Sequence, residues 1–271
     1  PADTTSLEAP CSGFADGLRN ASLKGLKVGL PKEYYELDGM TDSVKKTAQE
    51  TIETFRKAGA ELVDVSLPHT RYSMACYYIV ATAEASANLA RFDGVRYGYR
   101  SPAAHDVLEN YMKSRGEAFG NEVKRRIMLG SYLLSSGVYE KYYYPAQQVR
   151  TLITQDYTKA YEKVDCIIAP VSPRTAFKFG EISDPTSMYL SDMFTISINI
   201  AGNGGMNMPV GLGSESGLPV GVQLISPAFK DENMLRVAAA LETVYGPAPV
   251  APAFADGKAP ASAEACGKAG E

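Results

Sequence analysis

The stretch Glu122-Val123-Lys124-Arg125-Arg126-Ile127-Met128-Leu129-Gly130 has the residue types to hold a charged ligand. Val123, Ile127 and Gly130 share one helical face, and Arg126 lies at its edge beside apolar neighbours. A guanidinium there can reach over a pocket and grip a planar carboxylate through two hydrogen bonds. The same spacing suits a surface arginine that packs its stem against the core, which is the commoner use. Asp192 is the second candidate, set in Met188-Tyr189-Leu190-Ser191-Asp192-Met193-Phe194 just before an apolar run. A carboxylate among such neighbours needs a cation or several donors, so it either holds an ammonium group or caps a local turn. Spacing alone favours the turn.

Other chemistries find less support. The two histidines, His69 and His105, stand beside turn-like residues, and no nearby serine or cysteine with a carboxylate suggests a triad. The four cysteines are scattered without CxxC spacing, so neither a disulfide framework nor a metal site is indicated. Cys76 and Cys166 lie in apolar contexts and read as inert fillers. Tyr139, Tyr142, Tyr143 and Tyr144 resemble a binding wall, but tyrosines in such clusters are more often core residues with satisfied hydroxyls. Gly202-Asn203-Gly204-Gly205 lacks the lysine of a phosphate loop and marks a close backbone approach, to a core helix or to a substrate. With a net charge of -4 and only Lys124-Arg125-Arg126 as a basic run, direct capture of nucleic acid by this chain is not expected. No apolar run is long enough to span a membrane.

These residues need a scaffold, and its elements are legible. Residues 1–24 read as an irregular lead-in. A strand over Leu26 to Leu30, a helix from Thr41 or Asp42 with Val44, Ala48, Ile52 and Phe55 inward, a stop at Gly59, and a strand over Glu61 to Leu67 form a βαβ unit. A mainly helical block follows over 72–164, with a start near Pro102, a continuous helix over Glu117 to Leu134, and a long helix from Pro145 to Lys163. Asp165 to Pro170 reads as a buried central strand. Tyr189 to Ile200 reads as one short helix, Met206 to Leu212 and Val220 to Ile225 as an antiparallel pair, and Asp231 to Val244 as a last amphipathic helix. Residues 248–271 are rich in alanine, proline and glycine and are expected to be disordered.

Several long segments resemble one family. LKGLKVGLPKEYY from Leu23, EASANLARFDGVRYGYR from Glu84, FGNEVKRRIMLGSYLLSSG from Phe119, YYYPAQQVRTLI from Tyr142, DCIIAPVSPRTAF from Asp165 and MPVGLGSESGLPVGVQLI from Met208 are similar to the C-terminal portion of the amidase signature family. Within that family they resemble the branch of glutamine-hydrolysing components of tRNA-dependent amidotransferases. The resemblance runs from about Leu23 to about Tyr245. It departs at Ala201-Gly202-Asn203-Gly204-Gly205, where the family usually has Ala-Gly-Leu-Pro, so the pocket shape on that side is open.

The resemblance implies an α/β amidase signature fold: a mixed, largely parallel sheet covered by helices, with residues 25–247 as the C-terminal part of the domain and its N-terminal part missing. It implies a Ser–cis-Ser–Lys mechanism whose three residues precede Pro1, so the chain alone is expected to be inactive. Arg126 then corresponds to the arginine that pairs with the glutamine α-carboxylate. Asp192 corresponds to the aspartate that holds the α-ammonium, and Tyr77 to a tyrosine near the substrate entrance. The implied partners are the B and C subunits of the amidotransferase. ATP and Mg are used by the B subunit, aminoacyl-tRNA is bound mainly through it, and no cofactor or metal is expected in this chain. A cytoplasmic location goes with that assembly. The alternatives are a general amide hydrolase of the same family or a non-catalytic truncated remnant.

Overall fold

The computed structural model describes residues 2–3, 5–8, 14–18, 21–36 and 39–246. In chain order these form α1 (Phe14–Leu18), β1 (Lys27–Pro31), α2 (Lys32–Tyr35), α3 (Asp42–Lys57), β2 (Glu61–Val65), α4 (Ser73–Asn88) and α5 (Val107–Ala118). There follow α6 (Asn121–Leu133), α7 (Tyr144–Tyr161), β3 (Cys166–Pro170), α8 (Pro185–Leu190), α9 (Ile196–Ala201), β4 (Gly204–Leu212), β5 (Pro219–Ser226) and α10 (Asp231–Tyr245). The tail expected to be disordered from residue 248 lies outside the described residues. Within the lead-in, the short helix α1 packs on α10.

The strands form one sheet in the order β2-β1-β3-β5-β4. β1 pairs in parallel with β2 (Val28 opposite Leu62) and with β3 (Val28 opposite Cys166), as the βαβ pattern requires. β5 runs antiparallel to both β3 and β4, so the mixed sheet is half parallel by pairing. The ladder between β4 and β5 shifts register between Pro209 and Gly211, because Pro209 has no amide to donate.

Alternation along β3 builds a layer on each side. Ile167 and Ala169 face a core shared with α4, α7 and α9, through Cys76, Val80, Ile153, Tyr157, Ile196 and Ile198. Cys166 and Ile168 face the other core, with Phe55 of α3 and Val237 and Leu241 of α10. All five β3 residues are buried, as expected of a strand covered on both faces.

The helices differ from their sequence outline in three places. α5 starts at Val107 and not near Pro102, because the Asp106 carboxylate accepts the Glu109 amide at 2.8 Å and caps the helix there. The expected continuous helix over Glu117 to Leu134 is two helices, since Phe119 and Gly120 are extended (ψ 127° and 166°). Tyr189 to Ile200 is likewise interrupted. α8 ends at Leu190, α9 begins at Ile196, and the chain between them turns.

Candidate functional site

α4, α6 and the turn between α8 and α9 bring the three sequence candidates to one place. α6 lies directly on α4, and Gly130 makes that approach possible. A Cβ at this glycine would stand 1.9 Å from the Thr82 carbonyl oxygen of α4. One turn earlier on α6 stands Arg126, and α4 carries Tyr77 and Tyr78. The Tyr78 ring meets Tyr77 edge-on at 5.2 Å and lies against Tyr189 of α8 at 4.4 Å.

Glu122 joins the helices electrostatically. One carboxylate oxygen, Oε1, accepts Nε of Arg126 at 3.0 Å and the Tyr189 hydroxyl at 3.0 Å, while Oε2 accepts from Arg125. Partial burial works against the Glu122 charge, but the bonds from Tyr189 and Arg126 and the two guanidinium charges win and lower its pKa. For Arg126 burial again opposes the charge, and Glu122, helped by the fields of Tyr77 and Tyr78, outweighs it and raises the pKa. The Arg126 side chain is 41% exposed, so its terminal nitrogens can reach a ligand.

Asp192 sits in the turn, and its backbone builds that turn. Its carbonyl accepts the amides of Thr195 at 3.0 Å and Ile196 at 3.2 Å and the Thr195 hydroxyl at 3.1 Å. The carboxylate makes no hydrogen bond among the described residues, so the side chain is not spent as a turn cap. Though Asp192 reaches solvent, partial desolvation raises its pKa, and the Arg126 charge pulls the other way. Tyr78 lies in the field of both. Burial first, then Asp192 and Tyr189, push its hydroxyl up to about 12 against the opposing charge of Arg126. A cation and a carboxylate therefore face one aromatic shelf. That pattern suits a zwitterionic α-amino acid, whose carboxylate and ammonium sit on adjacent atoms.

The other sequence candidates separate from this cluster. Tyr139, Tyr142 and Tyr144 are exposed, so the core-packing reading of that tyrosine run is corrected. Tyr139 and Tyr142 lie within an irregular helical turn over Tyr139–Tyr143 and Tyr144 follows it, and no hydrogen bond or ring contact of this run involves Arg126 or Asp192. The glycine cluster serves packing. Gly202 caps α9 at φ 76°, and Cβ atoms at Gly204 and Gly205 would meet Ser226 of β5 at 2.8 Å and Ile198 of α9 at 3.4 Å. Burial pushes the thiols of Cys76 and Cys166 up to about 11 and about 12, which keeps them unreactive. His69 has a partner that the sequence did not reveal. Its Nδ1 lies 3.0 Å from the buried carboxylate of Asp156, which also accepts the His69 amide at 2.8 Å.

Sequence reasoning missed Glu122, Tyr78 and Tyr189. The spacing of Glu122 and Arg126 (i, i+4 on one helix) was a usable signal. The tyrosines gave none, because they come from other elements.

A family profile described as Amidase matches residues 1–235. Over 89% of its length the chain is 55% identical to the glutamyl-tRNA(Gln) amidotransferase A subunit of Geobacter metallireducens, covering 50% of that protein. The crystal structure of the glutamyl-tRNA(Gln) amidotransferase A subunit from Thermotoga maritima is 37% identical, with a TM-score of 0.62 over 83% of this chain and 44% of that one. A 6-aminohexanoate cyclic dimer hydrolase, 15% identical, shares the fold with a TM-score of 0.64 over 91% of this chain and 50% of its own. The chain spans about half the length of the curated relatives it matches.

Proposed function

Because the chain belongs to the amidase family, we propose that it forms the substrate-recognising part of the glutamine-hydrolysing component of a tRNA-dependent amidotransferase. The observation that carries this reading is that Arg126 and the Asp192 carboxylate lie in each other's field beside Tyr78, which packs against Tyr77 and Tyr189. In it, the terminal nitrogens of Arg126 receive the glutamine α-carboxylate and Asp192 receives the α-ammonium. Tyr77 and Tyr78 flank the aliphatic stem and exclude water around it. Holding both α-groups fixes where the side-chain amide points, so that an attacking hydroxyl meets its carbonyl carbon in a productive orientation.

The lysine and two serines of the amidase mechanism belong, in this reading, to sequence preceding Pro1. There the lysine, through a bridging serine, would activate the nucleophilic serine, and water would hydrolyse the acyl-enzyme. The net change is glutamine plus water to glutamate plus ammonia. Ammonia then passes to the B subunit, which uses ATP and Mg to activate Glu or Asp on tRNA; the C subunit completes the assembly. The 55% identity to a relative named for glutamyl-tRNA(Gln) supports this choice over a general amide hydrolase.

The test is Arg126→Ala in the complete, assembled protein, with glutaminase kinetics. Loss of a charge-assisted pair of about 1.5–3 kcal/mol raises the glutamine KM roughly 10- to 150-fold. An unchanged KM refutes the reading. Turnover of simple amides that ignores Arg126 would favour the general hydrolase, and no hydrolysis at all would favour a remnant.

A further inference from the structure

Glu122 has an ordinary explanation that covers only part of what it does. An acidic residue in the first turn of a helix, paired with an arginine four residues on, is favourable at any surface. Such a pair needs no third partner. Here Tyr189, 67 residues away in sequence, donates its hydroxyl to the same oxygen that accepts Arg126. Tyr189 in turn lies against Tyr78 and stands three residues before Asp192. Glu122 thus ties the helix that carries the cation to the segment that carries the carboxylate.

Two consequences follow for Arg126. With Nε occupied by Glu122, the edge left for a ligand is the end-on fork of the two terminal nitrogens, so the approach direction of a carboxylate is set before it arrives. Glu122 also competes for the guanidinium. Among the described residues Arg126 has its ion pair with Glu122 and none with Asp192, although Asp192 lies within its field. If Arg126 collapsed onto Asp192, the two charged groups would satisfy each other and the site would be closed to an amino acid.

We propose that Glu122, with Tyr189 as its second anchor, is a positioning residue that holds Arg126 end-on and apart from Asp192, keeping the glutamine clamp open. This rests on the glutamine reading above. The test is glutaminase kinetics on the complete assembled protein for Glu122→Ala, Glu122→Gln, Tyr189→Phe, Arg126→Ala and the double variant Glu122→Ala/Arg126→Ala. Glu122→Ala is expected to raise the glutamine KM about tenfold with kcat within about twofold of wild type. Glu122→Gln and Tyr189→Phe, which each keep part of the bridge, fall between. The double variant binds glutamine no worse than Arg126→Ala, because Glu122 acts only through the arginine.

A purely structural Glu122 would instead lower kcat and add its effect on KM to that of Arg126→Ala; either result overturns the proposal. So does a glutamine KM unmoved in Glu122→Ala. Should that variant fail to fold, Glu122→Gln, which removes the charge and keeps the volume, decides by the same criteria. If Arg126→Ala itself leaves KM unchanged, the glutamine reading fails and this inference with it. If Arg126→Ala raises KM and Glu122→Ala does not, only this inference fails.

Discussion

Replacing Gly130 by alanine places a methyl group 1.9 Å from the Thr82 carbonyl oxygen, 2.6 Å from its carbon and 2.8 Å from Cβ of Ser86. Two of these atoms are backbone, so no side-chain rotation relieves the clash. Restoring an ordinary contact near 3.4 Å moves α6 away from α4 by about 1.5 Å. Overpacking of this kind costs about 1–3 kcal/mol, and the helix preference of alanine over glycine offsets about 0.5–1 kcal/mol. Because the clash is with backbone, the overpacking cost lies at about 2–3 kcal/mol, so the expected net loss is about 1–2.5 kcal/mol, a fall in Tm of roughly 2–10 °C for a domain of this size. Gly116, in α5, is the internal control, since a Cβ there meets nothing within 4 Å. Gly116→Ala is therefore expected to stabilise by about 0.5–1 kcal/mol. Thermal and urea melts of both variants in the complete protein measure the difference in sign. A Gly130→Ala variant as stable as wild type would refute the close-approach account. The same displacement separates Arg126 from Tyr77 and Tyr78, so glutamine binding should weaken along with stability.

Two further outcomes test other parts of the structure. Tyr34, Tyr157 and Ser197 form a buried triangle in which Tyr34 and Tyr157 hydroxyls lie 3.0 Å apart, Tyr157 and Ser197 2.8 Å apart, and Tyr34 also bonds Ser197. Tyr157→Phe leaves one hydroxyl of the triangle short of a partner and should cost about 1–3 kcal/mol in urea denaturation; a change under about 0.5 kcal/mol would contradict it. In the proposed clamp glutamine affinity should also fall on acidification, because only an ionised Asp192 would pair with the α-ammonium. Desolvation, only partly countered by Arg126, raises its pKa, so the loss sets in at a higher pH than it would for an ordinary aspartate. The empty protein responds oppositely. A folded pKa above the unfolded one means that protonating Asp192 favours the fold, and that contribution is lost as pH rises through the folded value. Calorimetric titration with glutamine against pH, with Asp192→Asn as control, reads the binding limb; an affinity that is flat through this range, or one that falls identically in Asp192→Asn, would remove Asp192 from the clamp.

Periodicity by itself determined the layers of this protein. The apolar run Cys166 to Ala169 specifies a strand buried on both faces, and Val44, Ala48 and Phe55 specify the inward face of α3, because burial follows residue spacing whatever the partner is. The family resemblance, and not spacing, implied the roles of Arg126, Asp192 and Tyr77; spacing alone favoured a surface arginine and a turn-capping aspartate. Helix ends were less legible. Pro102 looked like a start, but the Asp106 cap decided it, and capping depends on side-chain geometry that composition does not encode. Tertiary structure alone decided what surrounds the site. Tyr189 reaches Glu122 across 67 residues and Tyr78 fits between Tyr77 and Tyr189; away from the site, Asp156 finds His69 across 87. The contacts of Glu122, Tyr189 and Tyr78 join α6, α8 and α4, and they depend on how closely α6 can approach α4 at Gly130, which is a property of the packed molecule and of no single segment.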